Sequence, residues 1–125
     1  EDMDAQHHVS PETEARGGLL AKPLGTYDTM FGRYTWNATD SCCGWNDETA
    51  NDVGYVLGVV EDIQAKYAVD PKRIYFVGHS NGGFMTYRYA CEHAERLAAI
   101  VVLAGCDWKD PSRCTRTRPV PLMTM

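Results

Sequence analysis

Between residues 50 and 103 the apolar positions follow two alternating rhythms. Val53, Leu57, Val60, Ile63 and Tyr67, headed by Asp52, recur at three- to four-residue intervals, which predicts an amphipathic helix over 50–67. Asn51 or Thr49 is placed to accept from its first free amides, and Val69-Asp70-Pro71 stops it. Arg73 to Val77 (R-I-Y-F-V) is a β-branched and aromatic run of strand length that ends at Gly78. Helical character returns over 82–95. Leu97 to Leu103 is continuously apolar, as in a strand covered on both faces, and Pro119 to Met123 opens a further strand. Strand, helix and strand in alternation predict an α/β fold with a mostly parallel sheet and right-handed crossovers.

The first half of the chain is less regular. Residues 1–16 are polar and acidic, a tail, a loop or the fraying remnant of a helix, with His7 and His8 at the surface. The run from Gly18 to Gly25 (G-L-L-A-K-P-L-G) suits a buried strand running into a loop, and residues 26–50 read as a long irregular loop rich in Gly, Asn, Asp and Thr. A loop of that length is more often functional than incidental. Its Tyr34, Trp36 and Trp45 either wall a substrate or anchor the loop to the core. There is no internal repeat.

Composition narrows the classes. At 125 residues the chain is a single domain, and no apolar run reaches the ~20 residues of a membrane span. The net charge of -5 argues against nucleic acid as a partner, and Arg113, Arg116 and Arg118 form a solvated loop face. None of the five cysteines falls in a C-x-x-C pair or at a zinc spacing with the histidines, so no metal is expected and an oxidising compartment explains them better. Cys106 and Cys114 bracket a short polar loop, while Cys42, Cys43 and Cys91 supply one further bridge and one free thiol; the connectivity itself is open. The sequence begins at Glu1 without a signal peptide, so an export signal, if one existed, was removed or lies outside it.

The chemistry concentrates at Gly78-His79-Ser80-Asn81-Gly82, a G-x-S-x-G match set between a strand and a helix. Such an elbow holds the serine in a strained turn with its hydroxyl above the sheet edge, and Gly78, Gly82 and Gly83 leave room for strand and helix to pass. Ser80 is the candidate nucleophile. The backbone N–H of Asn81, at the positive end of the helix, is the candidate oxyanion donor. A serine also needs a base and an acid to orient it. His79 is adjacent to the nucleophile and points elsewhere, and His93 lies a helix length on. Asp107 follows a strand end, where α/β sites collect, and is the candidate acid.

These residues resemble the polyhydroxybutyrate depolymerase-like esterases, a group that includes feruloyl and acetyl-xylan esterases. The likeness spans most of 17–122 and rests on W-N-A-T-D-S-C-C at 36–43, D-V-G-Y at 52–55, V-D-P-K-R-I-Y-F-V-G-H-S-N-G-G at 69–83 and Y-A-C-E at 89–92. The resemblance implies a partial α/β-hydrolase domain over 1–125, hydrolysis of a polyester or plant cell-wall ester through an acyl-enzyme, no cofactor, and export from the cell or to the periplasm. Carried over, the nucleophile falls on Ser80 and the oxyanion amide on Asn81. The His-Gly pair that in the family ends a preceding strand is absent, and the family's acid and histidine follow beyond the region matched by R-P-V-P at 118–121. The expectation is therefore a chain that lacks the acid and histidine partners and hydrolyses esters poorly or not at all alone. A non-catalytic binding module and a serine peptidase are the alternatives, and the oligomeric state is open.

Overall fold

A computed structural model describes residues 8–42 and 49–125; Cys43, Trp45 and His7 fall outside the described residues. The elements in chain order are α1 (Val9–Ala15), β1 (Thr26–Asp28), β2 (Arg33–Thr35), α2 (Asp52–Lys66), β3 (Tyr75–His79), α3 (Asn81–Glu92), β4 (Ala99–Leu103) and β5 (Leu122–Thr124). Single 3-10 turns lie at Ala94–Arg96 and Pro111–Arg113.

Helix α2 forms where its spacing predicts. The Asn51 side chain accepts from the Gly54 N–H at 3.0 Å, satisfying one of the free amides of the first turn. At the other end Lys66 pairs with Asp62 one turn back at 2.7 Å, and this contact raises the lysine pKa. The buried positions are Asp52, Val53 and Val56, whereas Tyr67 is exposed because the helix ends one residue before it.

Strands β3, β4 and β5 form a parallel sheet in that order, with Phe76 opposite Ile100 and Ile100 opposite Leu122. Since side chains alternate across a sheet, Phe76, Gly78, Ile100 and Val102 share a face, and α3 packs over it. Tyr89, Leu97 and Val102 are the largest fully buried side chains. The Tyr89 ring lies 4.5 Å from that of Phe76, and burial pushes its phenol up to about 12. Its hydroxyl is buried without a hydrogen-bond partner among the described residues.

The opposite face departs from expectation. Tyr75 and Val77 are exposed on β3, as is Met123 on the same face of β5 across β4, so β4 is fully covered on one face rather than both. Alternation explains this: the residues aimed at α3 are buried, and their neighbours point the other way.

Two further expectations are corrected. Residues 18–25 form no strand, and Leu19 and Leu24 are each 58% exposed. Gly17 at φ 67 and Gly18 instead close α1, donating to Glu14 and Thr13 carbonyls at 2.9 Å each. Within the supposed irregular loop, β1 and β2 pair as an antiparallel hairpin with Tyr27 opposite Tyr34. Asp28 Oδ1 accepts from the Met30 and Phe31 amides at 2.8 and 3.0 Å and so folds the connection.

One disulfide joins Cys91 to Cys114, and Cys106 is a free, exposed thiol. The Cys106–Cys114 loop therefore does not bracket a bridge. The sequence shows which cysteines are near along the chain, whereas pairing depends on Cα separation, here 5.0 Å between α3 and the post-β4 segment. Cys42 is also disulfide-bonded.

Candidate active site

Strand β3 runs into α3 through a single residue. Ser80 adopts φ 51, ψ -123, a left-handed φ that costs a non-glycine residue of order 1–3 kcal/mol. Its main chain is held from both sides. The Ser80 N–H donates to Leu103 O on β4 at 2.8 Å, and its carbonyl accepts from Gly83 and Phe84 at 2.7 and 3.1 Å. Ser80 is exposed, and its hydroxyl makes no hydrogen bond among the described residues.

Space at the elbow is set by three glycines, not quite those singled out from sequence. A Cβ on Gly78 would lie 2.2 Å from Gly82 O and 2.4 Å from Thr86 Oγ1. One on Gly83 would meet Val102, Leu103 O and Gly105 at 3.1–3.3 Å, and one on Gly105 would meet Gly83 at 2.8 Å. Gly82 has open space instead. Gly105 follows Ala104, itself at φ 51, so the turn leaving β4 presses against the first turn of α3.

Asn81 is the first residue of α3, and its backbone amide is one of the donors that a helix leaves free at its N-terminus. Helix-dipole alignment makes that end favourable for developing negative charge. Sequence reasoning assigned nothing to the Asn81 side chain. In the structure its Oδ1 accepts from the Trp36 N–H at 2.7 Å and its Nδ2 donates to Trp36 O at 3.1 Å.

That contact begins a strap over residues 36–41 laid beside the elbow. Asp52, buried and at the head of α2, accepts from the Asn37 N–H at 2.6 Å. Arg88 on α3 donates to the carbonyls of Asn37 and Ala38 at 2.7 and 3.2 Å. Asp40 takes Arg113 at 2.9 Å and the Lys109 N–H at 3.0 Å, and Ser41 donates to Asp107 O at 2.8 Å. Trp36 packs on the core and stacks on Tyr55 at 6.3 Å, so it anchors the strap. Tyr34 is 55% exposed on the hairpin with its ring edge-on to Tyr27.

The other candidates are dispersed. His93 caps the far end of α3, beyond a 12-residue helix that spans about 18 Å, and its Nδ1 faces Glu95 at 3.7 Å. His79 is half-buried at the end of β3. Asp107 is engaged within its own loop: Oδ2 accepts from Arg116 at 2.8 Å and Oδ1 from the Trp108 N–H at 2.9 Å. Cys91, Asp107 and Cys114 cluster as metal-ligating residue types, but both sulfurs are in the disulfide and offer no thiolate. The three arginines are used internally rather than as a free basic face. Arg113 lies 3.8 Å over the Trp108 ring and Arg118 donates to Leu97 O.

An elbow of this form between a parallel strand and a helix agrees with the sequence family matched by residues 34–121, described as alpha/beta hydrolase fold. The chain belongs to the alpha/beta hydrolase fold family. Among its relatives in that family, a putative esterase NocK from Nocardia uniformis subsp. tsuyamanensis is 26% identical over 125 residues, all of this chain and 35% of that protein. Feruloyl esterase B of Piromyces equi is 33% identical over 91 residues, 70% of this chain and 16% of that protein. A bifunctional acetylxylan esterase/xylanase of Neocallimastix patriciarum is 30% identical over 78 residues, 62% of this chain and 11% of that enzyme. This alpha/beta hydrolase chain thus spans about a third or less of the length of these relatives. No solved structure matches it. No helix among the described residues is long and apolar enough to cross a membrane.

Proposed function

We propose that the protein is a serine carboxylic-ester hydrolase acting on feruloyl or acetyl esters of plant cell-wall polysaccharide, with Ser80 as nucleophile and the Asn81 amide as an oxyanion donor. The observation that carries the reading is Ser80 itself: an exposed serine held at φ 51 on the tip of the elbow, immediately ahead of a helix N-terminus. The hydroxyl attacks the ester carbonyl, its proton passing through solvent to the departing alkoxide; a tetrahedral oxyanion forms against the Asn81 N–H, loss of the alcohol leaves an acyl-Ser80 ester, and water cleaves that to the acid and free Ser80. No cofactor enters this route. The names of the relatives, feruloyl and acetylxylan esterases, favour plant cell-wall esters over a polyester. The Cys91–Cys114 disulfide supports a place of action outside the cell or in the periplasm.

A non-catalytic role is the second reading, favoured by the free Ser80 hydroxyl: no described side chain is in hydrogen-bond contact with it to act as base. Turnover of methyl ferulate, an acetylated xylo-oligosaccharide and a peptide p-nitroanilide by the purified chain and by Ser80→Ala separates the readings. Slow ester cleavage that disappears in Ser80→Ala supports the esterase. Peptide cleavage without ester cleavage, or ester cleavage indifferent to Ser80, would overturn it.

A further inference from the structure

The half-buried side chain of Asn81 makes contacts that the esterase reading does not use. In an elbow, the residue after the nucleophile contributes its backbone N–H, and its side chain is free to be anything that fits. Here that side chain is a carboxamide whose two polar atoms are both spent on one residue, Trp36, 45 positions earlier: one accepts from its N–H at 2.7 Å and the other donates to its carbonyl at 3.1 Å. Such a pair mimics a strand contact and fixes position and rotation together, which a single bond does not.

What lies behind Trp36 makes the contact rigid. The next peptide is held by the buried Asp52 through the Asn37 N–H, by the Asn37 side chain on Ala50 O at 2.9 Å, and by Arg88 through two carbonyls. Trp36 itself is seated on the core and against Tyr55. The strap is thus tied to α2 and α3 independently of Asn81, and Asn81 ties the elbow to the strap.

We propose that Asn81 is a positioning residue: its carboxamide, clamped on the Trp36 main chain, holds the Asn81 backbone amide in the orientation that meets the oxyanion formed at Ser80. The proposal rests on the esterase reading for its oxyanion. The clamp is needed because Ser80 sits in an unfavourable backbone region, and relaxation of its φ would swing the following N–H away. Removing an oxyanion donor slows acyl transfer by about 100- to 1,000-fold, so misaligning one without removing it should slow the reaction by roughly 10- to 100-fold.

The test uses the full chain with a fluorophosphonate that forms a covalent bond from Ser80 Oγ to phosphorus, with fluoride leaving and the serine proton passing to solvent. Unaltered chain, Asn81→Ala and Asn81→Leu are compared for the maximal labelling rate and for the half-saturating probe concentration, alongside thermal unfolding. Leucine keeps the forked shape of the side chain at Cγ and loses both hydrogen bonds. Both variants are expected to label roughly 10- to 100-fold more slowly at saturation, with the half-saturating concentration changed less than about twofold. A merely structural role predicts instead that labelling follows the folded fraction, and that outcome overturns the proposal, as does labelling by Asn81→Leu at the unaltered rate. If folded, unaltered chain does not label at all, the esterase reading fails. The clamp is then judged by the ¹⁵N order parameter of the residue-81 amide: a selective fall in both variants, with the rest of α3 unchanged, supports it, and no fall overturns it.

Discussion

Replacing Gly78 by alanine should destabilise the protein far more than the same change at Gly82, although both are glycines of one motif. The added Cβ at position 78 would sit 2.2 Å from Gly82 O and 2.5 Å from Gly82 C, about 1 Å inside ordinary contact. Thr86 Oγ1, 2.4 Å away, belongs to a side chain that can rotate, although rotation gives up its 2.9 Å bond to Gly82 O. The Gly82 carbonyl belongs to the first turn of α3 and cannot retreat without carrying the helix from the sheet. Overpacking of this kind costs about 1–3 kcal/mol, and the lost hydrogen bond adds about 1, for a total of roughly 3 kcal/mol. At position 82 the Cβ meets nothing, and alanine's better helix propensity and smaller unfolded-state entropy should stabilise by about 0.5 kcal/mol. Thermal unfolding followed by circular dichroism at 222 nm measures both. A melting temperature lowered by roughly 10 °C for Gly78→Ala, with Gly82→Ala at or above the unaltered protein, is expected. Equal losses at the two positions would refute the reasoning from close approach.

Removing the Cys91–Cys114 disulfide, which spans 23 residues of sequence, should cost about 3 kcal/mol, read as the shift in urea midpoint between the unaltered chain and a variant with Cys91→Ala and Cys114→Ala, both without reductant. Asp52→Ala removes the acceptor of the Asn37 N–H and should cost about 1–3 kcal/mol, with amide exchange at Asn37 accelerating first. Tyr89→Phe removes a buried hydroxyl that has no partner among the described residues and should be neutral or stabilising by about 1 kcal/mol at pH 7. Because the folded state holds the Tyr89 phenol up to about 12, the unfolded chain loses that proton first, so stability falls as pH rises from about 10 to 12. Chemical unfolding across that window should show a steeper decline in the unaltered protein than in Tyr89→Phe.

The regular half of the fold was legible because its signals are local. The spacing from Val53 to Ile63 and the cap at Asn51 describe α2, and R-I-Y-F-V followed by glycine describes β3 and its turn. Ser80 was legible because a strained turn demands small neighbours, a demand that leaves letters in the sequence. The hairpin was hidden because its strands are three residues each and its turn depends on Asp28 reaching two amides. The run 18–25 misled because a short apolar stretch carries no information about whether a ladder partner exists. Gly105 and the Asn81 clamp were invisible for a different reason: each acts on a residue distant in the chain, Gly83 or Trp36, and only the packed arrangement brings them together.

The proposed esterase chemistry requires Ser80 to be a nucleophile poised by its elbow. Intact-mass and peptide-mapping analysis of the chain after incubation with a fluorophosphonate tests it most directly. A single adduct on Ser80 is expected, formed slowly because no base among the described residues contacts the hydroxyl yet faster than on a serine in an unstructured peptide, and absent from Ser80→Ala. A folded chain that acquires no adduct, or acquires it equally after Ser80→Ala, would contradict it.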